Sequence, residues 1–325
     1  MTMDPRVRER VDEFLETLAH SPVSRHVLGV VVSGSAARGE EIWQGERLLS
    51  DIDLMVLTRR TSPRLIAQID DLIGLHRDRG IDGGQVPLRP LARYLTLAFF
   101  EARATGIVVR GRLDLRRLIP DIDPARLPVW EGVRVLANRL IEHVKHDEGR
   151  IDTERVVAKS YEALAEAYLV AEGRYRASYA ARLSEIERQP PAAPVDVIAG
   201  MTRALRLRLG LPTSGVADVM IARAHLVNGL GRIGAAYTGS LGLAGAQLAH
   251  LVATERHWRH RLYWAALLAR QRRWRDIELS ADPILRIWQR TLALVSRAAS
   301  GAERGELLRD WRACPQILVT RRPPR

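Results

Sequence analysis

Residues 30–58 read VVVSGSAARGEEIWQGERLLSDIDLMVLT. The apolar run from His26 to Ser33 has the β-branched content of a buried strand. A glycine and a serine follow at once, then a polar, turn-rich segment, and a second strand opens as DIDLMVLT at Asp51. Strand geometry sends Asp51 and Asp53 to one face, and Ile52 and Leu54 to the other, where they anchor the strand. Two neighbouring carboxylates repel unless a cation neutralises them. Hard oxygen ligands so arranged suit Mg²⁺, which takes one or two carboxylates together with substrate phosphates. Gly34 allows the backbone to approach a ligand closely. The amides beyond it, with the Ser35 hydroxyl, form an anion-binding concavity, helped if a helix begins there. Arg38 is near enough in sequence to reach a terminal phosphate. A phosphate cradle beside a metal site is what phosphoryl and nucleotidyl transfer require.

Outward from this stretch, residues 6–19 carry Val7, Val11, Phe14, Leu15 and Leu18 near helical spacing. Ser62 and Pro63 start a helix that runs to about Arg79, with Gly80 ending it. Residues 81–88, IDGGQVPL, are a third strand candidate, weakened by the paired glycines and Pro87. A helix over 95–105 and a short strand at 107–111 complete a small mixed sheet domain over residues 1–124. From residue 125 the periodicity turns helical, with breaks at Gly149, Gly173, Gln189 to Pro191, Gly210 to Ser214, the glycine-rich 229–245 region and Ala281 to Pro283. That pattern predicts a bundle of about six to eight helices over 125–315. The basic tail, 316–325, is expected to be disordered. The fold class is therefore α/β in the α+β sense, a mixed-sheet N-terminal domain followed by a C-terminal α-helical bundle.

Composition narrows the function classes. The chain has 325 residues with one cysteine, which excludes an intrachain disulfide. Cys314 has no catalytic-cysteine pattern around it. The N-terminus lacks a signal-peptide apolar core and no apolar stretch is long enough for a bilayer, so a soluble cytoplasmic protein is expected. The net charge is +12. The first 125 residues hold 18 arginines and 18 acidic residues, so the whole excess lies beyond them. A basic second half attracts phosphate, RNA or an acidic partner, or it reflects helices solvated by arginine.

Gly34-Ser35, a spacer, then Asp51-Ile52-Asp53 resembles the signature of the DNA polymerase β-like nucleotidyltransferases. GSAARGE followed by SDIDLMV is close to its bacterial form, with a longer spacer in which Glu41 to Leu49 form an extended loop. The resemblance implies a nucleotidyltransferase-type sheet. Gly34 and Ser35 would hold the β- and γ-phosphates, and Asp51 and Asp53 would bind Mg²⁺ in a two-metal site. A third carboxylate is implied on a later strand, completing one metal site and serving as base. Asp82 is the only carboxylate on 81–88. Either it fills that role or it is a turn residue before Gly83, with Gly84 or Gln85 at the proper place. Glu40 and Glu46 are the alternative bases.

The helical half adds one more candidate. The chain has two lysines, Lys145 and Lys159, against 48 arginines. A retained lysine offers phosphate a compact charge that arginine cannot, or it is a solvated surface residue. The segment around Lys159 also resembles helical domains of small-molecule nucleotidyltransferases such as those acting on aminoglycosides, in which a lysine facing the cleft touches the triphosphate. Tyr161, Tyr168, Tyr175 and Tyr179 read as core or interface; Tyr175 and Tyr179 could instead stack on a base. Residues 256–275 mix basic and aromatic side chains, either for RNA contact or for packing Trp258, Leu262, Trp264 and Leu268 into the bundle. His257 and His260 lack a zinc pattern.

The expected activity is transfer of an NMP, AMP being favoured with ATP as donor, to a hydroxyl of a small-molecule acceptor with loss of pyrophosphate. An RNA, tRNA or protein acceptor, and a degenerate nucleotide-binding protein, are the alternatives. No membrane partner is expected, and the sequence does not define an oligomeric state.

Overall fold

A computed structural model describes residues 3–60, 62–91, 95–213, 218–239, 242–254, 261–262, 265–266, 268–269, 272, 282–297 and 299–313. Helix α1 (Pro5–His20) starts on the Asp4 carboxylate, which accepts the Arg6 amide. Strand β1 (Val27–Ser33) leads straight into the short helix α2 (Gly34–Arg38), which Gly39 ends in a left-handed conformation. The loop expected over Glu41 to Leu49 is instead a small hairpin of β2 (Trp43–Gln44) and β3 (Arg47–Leu48). Strand β4 (Ile52–Thr58), helix α3 (Pro63–Gly74) and strand β5 (Ile81–Pro87) follow. Helix α3 is shorter than its sequence suggests, with turns from Leu75 to Gly80. The N-terminal half closes with α4 (Leu88–Leu91), α5 (Leu97–Thr105), β6 (Ile107–Arg110) and α6 (Leu115–Leu118).

The four-stranded sheet has the order β5-β4-β1-β6. Strand β1 is antiparallel to β4 and β6, while β4 and β5 run parallel. Paired glycines did not exclude β5. Gly83 has φ +137°, and a Cβ there would lie 2.0 Å from the Leu54 carbonyl oxygen, so the strand needs a glycine at that crossing.

Alternation gives the sheet two faces. Val30, Val32, Ile52, Leu54 and Val56 pack with Val7, Val11 and Phe14 of α1 and Ile69 and Ile73 of α3. Val31, Met55 and Leu57 face the other way, against Phe99 of α5 and the helices that follow. Asp53 has the parity of Met55 and Leu57, so its carboxylate belongs to the face turned toward the helical half.

That half comprises α7 (Val129–Asp147), α8 (Thr153–Ala171), α9 (Tyr179–Arg188), α10 (Val195–Arg208), α11 (Val219–Thr238), α12 (Ala244–Thr254), α13 (Pro283–Val295) and α14 (Gly301–Ala313). Helices α7 and α8 form a hairpin on which α11 packs. The glycine-rich start of 229–245 is not a break, because α11 runs through Gly229, Gly231 and Gly234 to Thr238. A Cβ on Gly229 would lie 2.5 Å from Leu164 Cδ2, and one on Gly234 2.8 Å from Gln247 Cβ. These glycines let α8 and α12 approach closely, a packing use and not a stop signal. Of the basic–aromatic segment, Leu268 is buried and Leu262 exposed. Trp258, Trp264, His257 and His260, like Cys314 and the tail 316–325, lie outside the described residues.

Candidate functional site

Register brings the sequence candidates together at one end of the sheet. Ser33 pairs with Asp53 across β1 and β4, and Asp53 pairs with Asp82 across β4 and β5. Paired residues on adjacent strands share a face and stand roughly 4.8 Å apart at the backbone. Gly34 turns the chain beside them with φ +67°, and a Cβ there would lie 2.3 Å from Asp53 Oδ2. The glycine is therefore what permits the Asp53 carboxylate to sit against the turn.

The carboxylates differ in surroundings. Arg155 Nη2 donates to both oxygens of Asp51 at 3.2 Å, and Lys159 Nζ donates to Oδ2 at 3.4 Å. Burial pushes the Asp51 carboxyl up, but Lys159 and Arg155 outweigh it and hold the group below the usual carboxylate range. Asp53 lies among crowding protein atoms yet its side chain remains open to solvent. Desolvation pushes its carboxyl up to about 7, and the charges of Asp51 and Asp82 push the same way. Water reaching an open carboxylate weakens the desolvation, so the like-charged neighbours matter more at Asp53 than burial alone would suggest. Asp82 is also exposed, and its Oδ1 accepts the Gly83 amide at 2.8 Å.

Helices α7 and α8 form the opposite wall. Asp152 caps α8 by accepting the Arg155 amide, which fixes where the helix starts. Arg155, Lys159, Glu162 and Glu166 then recur at helical spacing along a helix that is mostly buried beyond its first turn. Glu142 of α7 stands 3.8 Å from Lys159 and accepts from Arg139 at 2.6 Å. The Lys145 ammonium of α7 makes no hydrogen bond or ion pair among the described residues. Burial lowers its pKa while Glu142 and Asp82 pull it back up. Lys159 thus binds Asp51, and Lys145 is near enough to Glu142 and Asp82 for their charges to act on it. Of these groups only Lys159 was singled out from the sequence. Arg155 and Lys145 were missed, although a charged line on an otherwise apolar helix signals a polar seam facing something other than bulk water.

Ser35 is buried beside the turn, and its hydroxyl has no partner among the described residues. Arg38 does not face the carboxylates. It is buried and paired with Glu40 and with Glu101 of α5, its guanidinium 4.9 Å over the Tyr179 ring. Glu101 also accepts from Tyr175 and Arg182, and Arg182 donates to Glu166 at 2.6 Å. Glu40 accepts the amides of Tyr179 and Ala180 at 3.2 Å, joining the loop after α2 to the start of α9. Tyr175 is core of this junction, and Tyr179 is covered by Arg38, Arg182 and Arg208. Glu46 lies on the β2–β3 turn, where its backbone carbonyl accepts from Arg10.

Among the described residues, no three His, Cys, Asp or Glu side chains converge closely enough to enclose a metal ion by themselves. The donor set nevertheless fits Mg²⁺ in its usual mode, with the open Asp53 and, once released from Arg155 and Lys159, Asp51, and phosphates or water completing the shell. Asp82 shares their level but is turned onto Gly83.

No known family model matches the chain, and no curated protein matches it. No described helix is long and apolar enough to cross a membrane.

Proposed function

We propose that the chain is a Mg²⁺-dependent nucleotidyltransferase of the DNA polymerase β-like type. It moves an NMP, by preference AMP from ATP, to a hydroxyl of a small-molecule acceptor. The observation that carries this reading is one juxtaposition. Asp53 lies against the Gly34 turn, and Lys159 and Arg155 of α8 bind Asp51, two residues before it. A mixed sheet with a glycine–serine turn between its antiparallel strands supports the nucleotidyltransferase-type fold.

Bound at Asp51 and Asp53, Mg²⁺ would neutralise phosphate charge and stabilise the leaving pyrophosphate. Lys145, Lys159 and Arg155 supply positive charge to the β- and γ-phosphates from the other wall. The absence of a side chain at Gly34 leaves room beside Asp53 for a phosphate to approach the backbone, and the unpartnered Ser35 hydroxyl is a donor toward it. The acceptor oxygen bonds to the α-phosphorus, the bridging bond to the β-phosphate breaks, and pyrophosphate leaves. The hydroxyl proton passes to Asp82, an open carboxylate on the neighbouring strand, once its side chain turns from the Gly83 amide.

The test uses ATP labelled at the α-phosphate, Mg²⁺ and a panel of hydroxylated acceptors. Label should move to an acceptor with release of pyrophosphate, and Asp51→Ala or Asp53→Ala should reduce transfer about a thousandfold without unfolding the protein. Undiminished transfer in either variant refutes the assignment. The hydrogen bond from the Gly83 amide to Asp82 favours one competing reading, a protein that binds nucleotide without turnover. Mg²⁺·ATP binding by calorimetry with no pyrophosphate from any acceptor would support it. An RNA acceptor gains less from the net charge than composition suggests. Arg134, Arg139, Arg174 and Arg182 are engaged in internal ion pairs.

A further inference from the structure

Charge is unequally shared among the three strand carboxylates. Asp51 has two cationic partners, Arg155 and Lys159. Asp53 and Asp82 have none within ion-pair distance among the described residues. Arg155 uses one nitrogen, Nη2, to straddle both Asp51 oxygens, where a forked pairing would use two. Its Nε is buried without a partner. The guanidinium therefore keeps donors unspent while holding a carboxylate that a metal would need. Lys145 stands near with no partner of its own. Arg155 and Lys159, with Lys145 near, stand by two adjacent strands that present one neutralised and two open carboxylates.

We infer that Arg155 stands in for the metal. It holds Asp51 while the cleft lacks nucleotide and shifts onto the triphosphate when a metal–nucleotide complex arrives. The inference rests on the nucleotidyl-transfer reading above. A free divalent cation approaching Asp51 meets a guanidinium at 3.2 Å and an ammonium at 3.4 Å, so it binds poorly. A triphosphate changes that balance, because its oxygens draw Arg155 and Lys159 away and add ligands to the cation. Metal and nucleotide then favour each other's binding by the same factor, as linkage requires. The site takes metal with nucleotide and not before it.

The full chain can be titrated with Mn²⁺, free ion being followed by electron paramagnetic resonance, with and without the non-reacting α,β-methylene analogue of ATP. For the natural protein, the analogue should tighten Mn²⁺ binding at least about tenfold, within the usual span of coupling between sites. Arg155→Met should tighten binding of Mn²⁺ alone by about the same factor, weaken binding of the Mn²⁺–analogue complex, and shrink the coupling. Arg155→Lys, which keeps the charge, should retain part of the coupling, and both variants should melt like the natural protein. If Arg155→Met leaves the affinity for Mn²⁺ alone unchanged while the natural protein binds the Mn²⁺–analogue complex, the stand-in role is wrong and the transferase reading survives. If the natural protein binds no Mn²⁺–analogue complex, both fall together.

Discussion

His143 shows how one side chain in the α7–α8 hairpin ties stability to pH. The Ser160 hydroxyl donates to the Val156 carbonyl at 2.7 Å, so its oxygen is left to accept from His143 Nε2 at 2.8 Å. Arg223 Nε approaches Nδ1 at 3.4 Å and can only donate. The neutral ring protonated on Nε2 satisfies every partner, while an imidazolium would turn an N–H toward a guanidinium. Burial, with Arg223 next, lowers the His143 pKa to about 4. A depressed histidine contributes stability that is fully present above its unfolded value of 6.5 and is lost as pH falls toward 4. Denaturant unfolding should show stability falling by about 1.4 kcal/mol per pH unit across that window, and His143→Gln should flatten the slope. An unchanged slope in the variant would contradict the assignment. Nothing in the sequence marked His143. A lone histidine among apolar residues carries no sign of which hydroxyl and guanidinium will meet it. Asp51 and Asp53 were legible because strand parity depends on residues two apart. Arg38 was read as a phosphate ligand from sequence proximity, which cannot tell that one turn of α2 aims it at α9.

At the level of elements, the seam along α8 divides into two ends. Its N-terminal end, Arg155 and Lys159, meets Asp51. Its C-terminal end, Glu166, joins the buried junction of α2, α5 and α9. Glu101 is the hinge of that junction, accepting from Arg38, Tyr175 and Arg182. Removing its charge leaves two buried guanidinium groups each short of a partner. Glu101→Leu should therefore cost about 3 kcal/mol in urea unfolding, the scale for breaking a buried pair on one side. A loss under about 1 kcal/mol would mean solvent or Glu40 and Glu166 compensate fully. Most elements were readable from hydrophobic period and punctuation, and β5 formed although its paired glycines and Pro87 had weakened it as a candidate. The misreading of 229–245 has a physical cause. Glycine signals a turn when its backbone freedom is used, but in α11 its missing side chain is used, and sequence does not distinguish the two.

For the molecule as a whole, the strand-rich half keeps one interior of its own against α1 and α3 and shares the other with the helix-rich half. Val31, Met55, Leu57 and Phe99 belong to the same cluster as Leu136, Leu140, Leu164 and Trp288. Periodicity is a local property, so it could locate the change of texture near residue 124 but not this shared core. The candidate site is the charged part of that junction. Its two walls come from the sheet and from the α7–α8 hairpin, which a common core holds in fixed relation. The chain has only two lysines: Lys159 binds Asp51 there, and Lys145 feels the charge of Asp82. Amine-directed reagents therefore have just the amino terminus and two cleft positions to attack, and the depressed Lys145 keeps more of its reactive neutral form. Reductive methylation followed by mass spectrometry should modify these amines alone. Bound nucleotide should shield both lysines and leave the terminus reactive, whereas equal labelling with and without nucleotide would show that the ligand sits elsewhere. An arginine-rich composition thus leaves the protein with a built-in footprinting label for its own cleft.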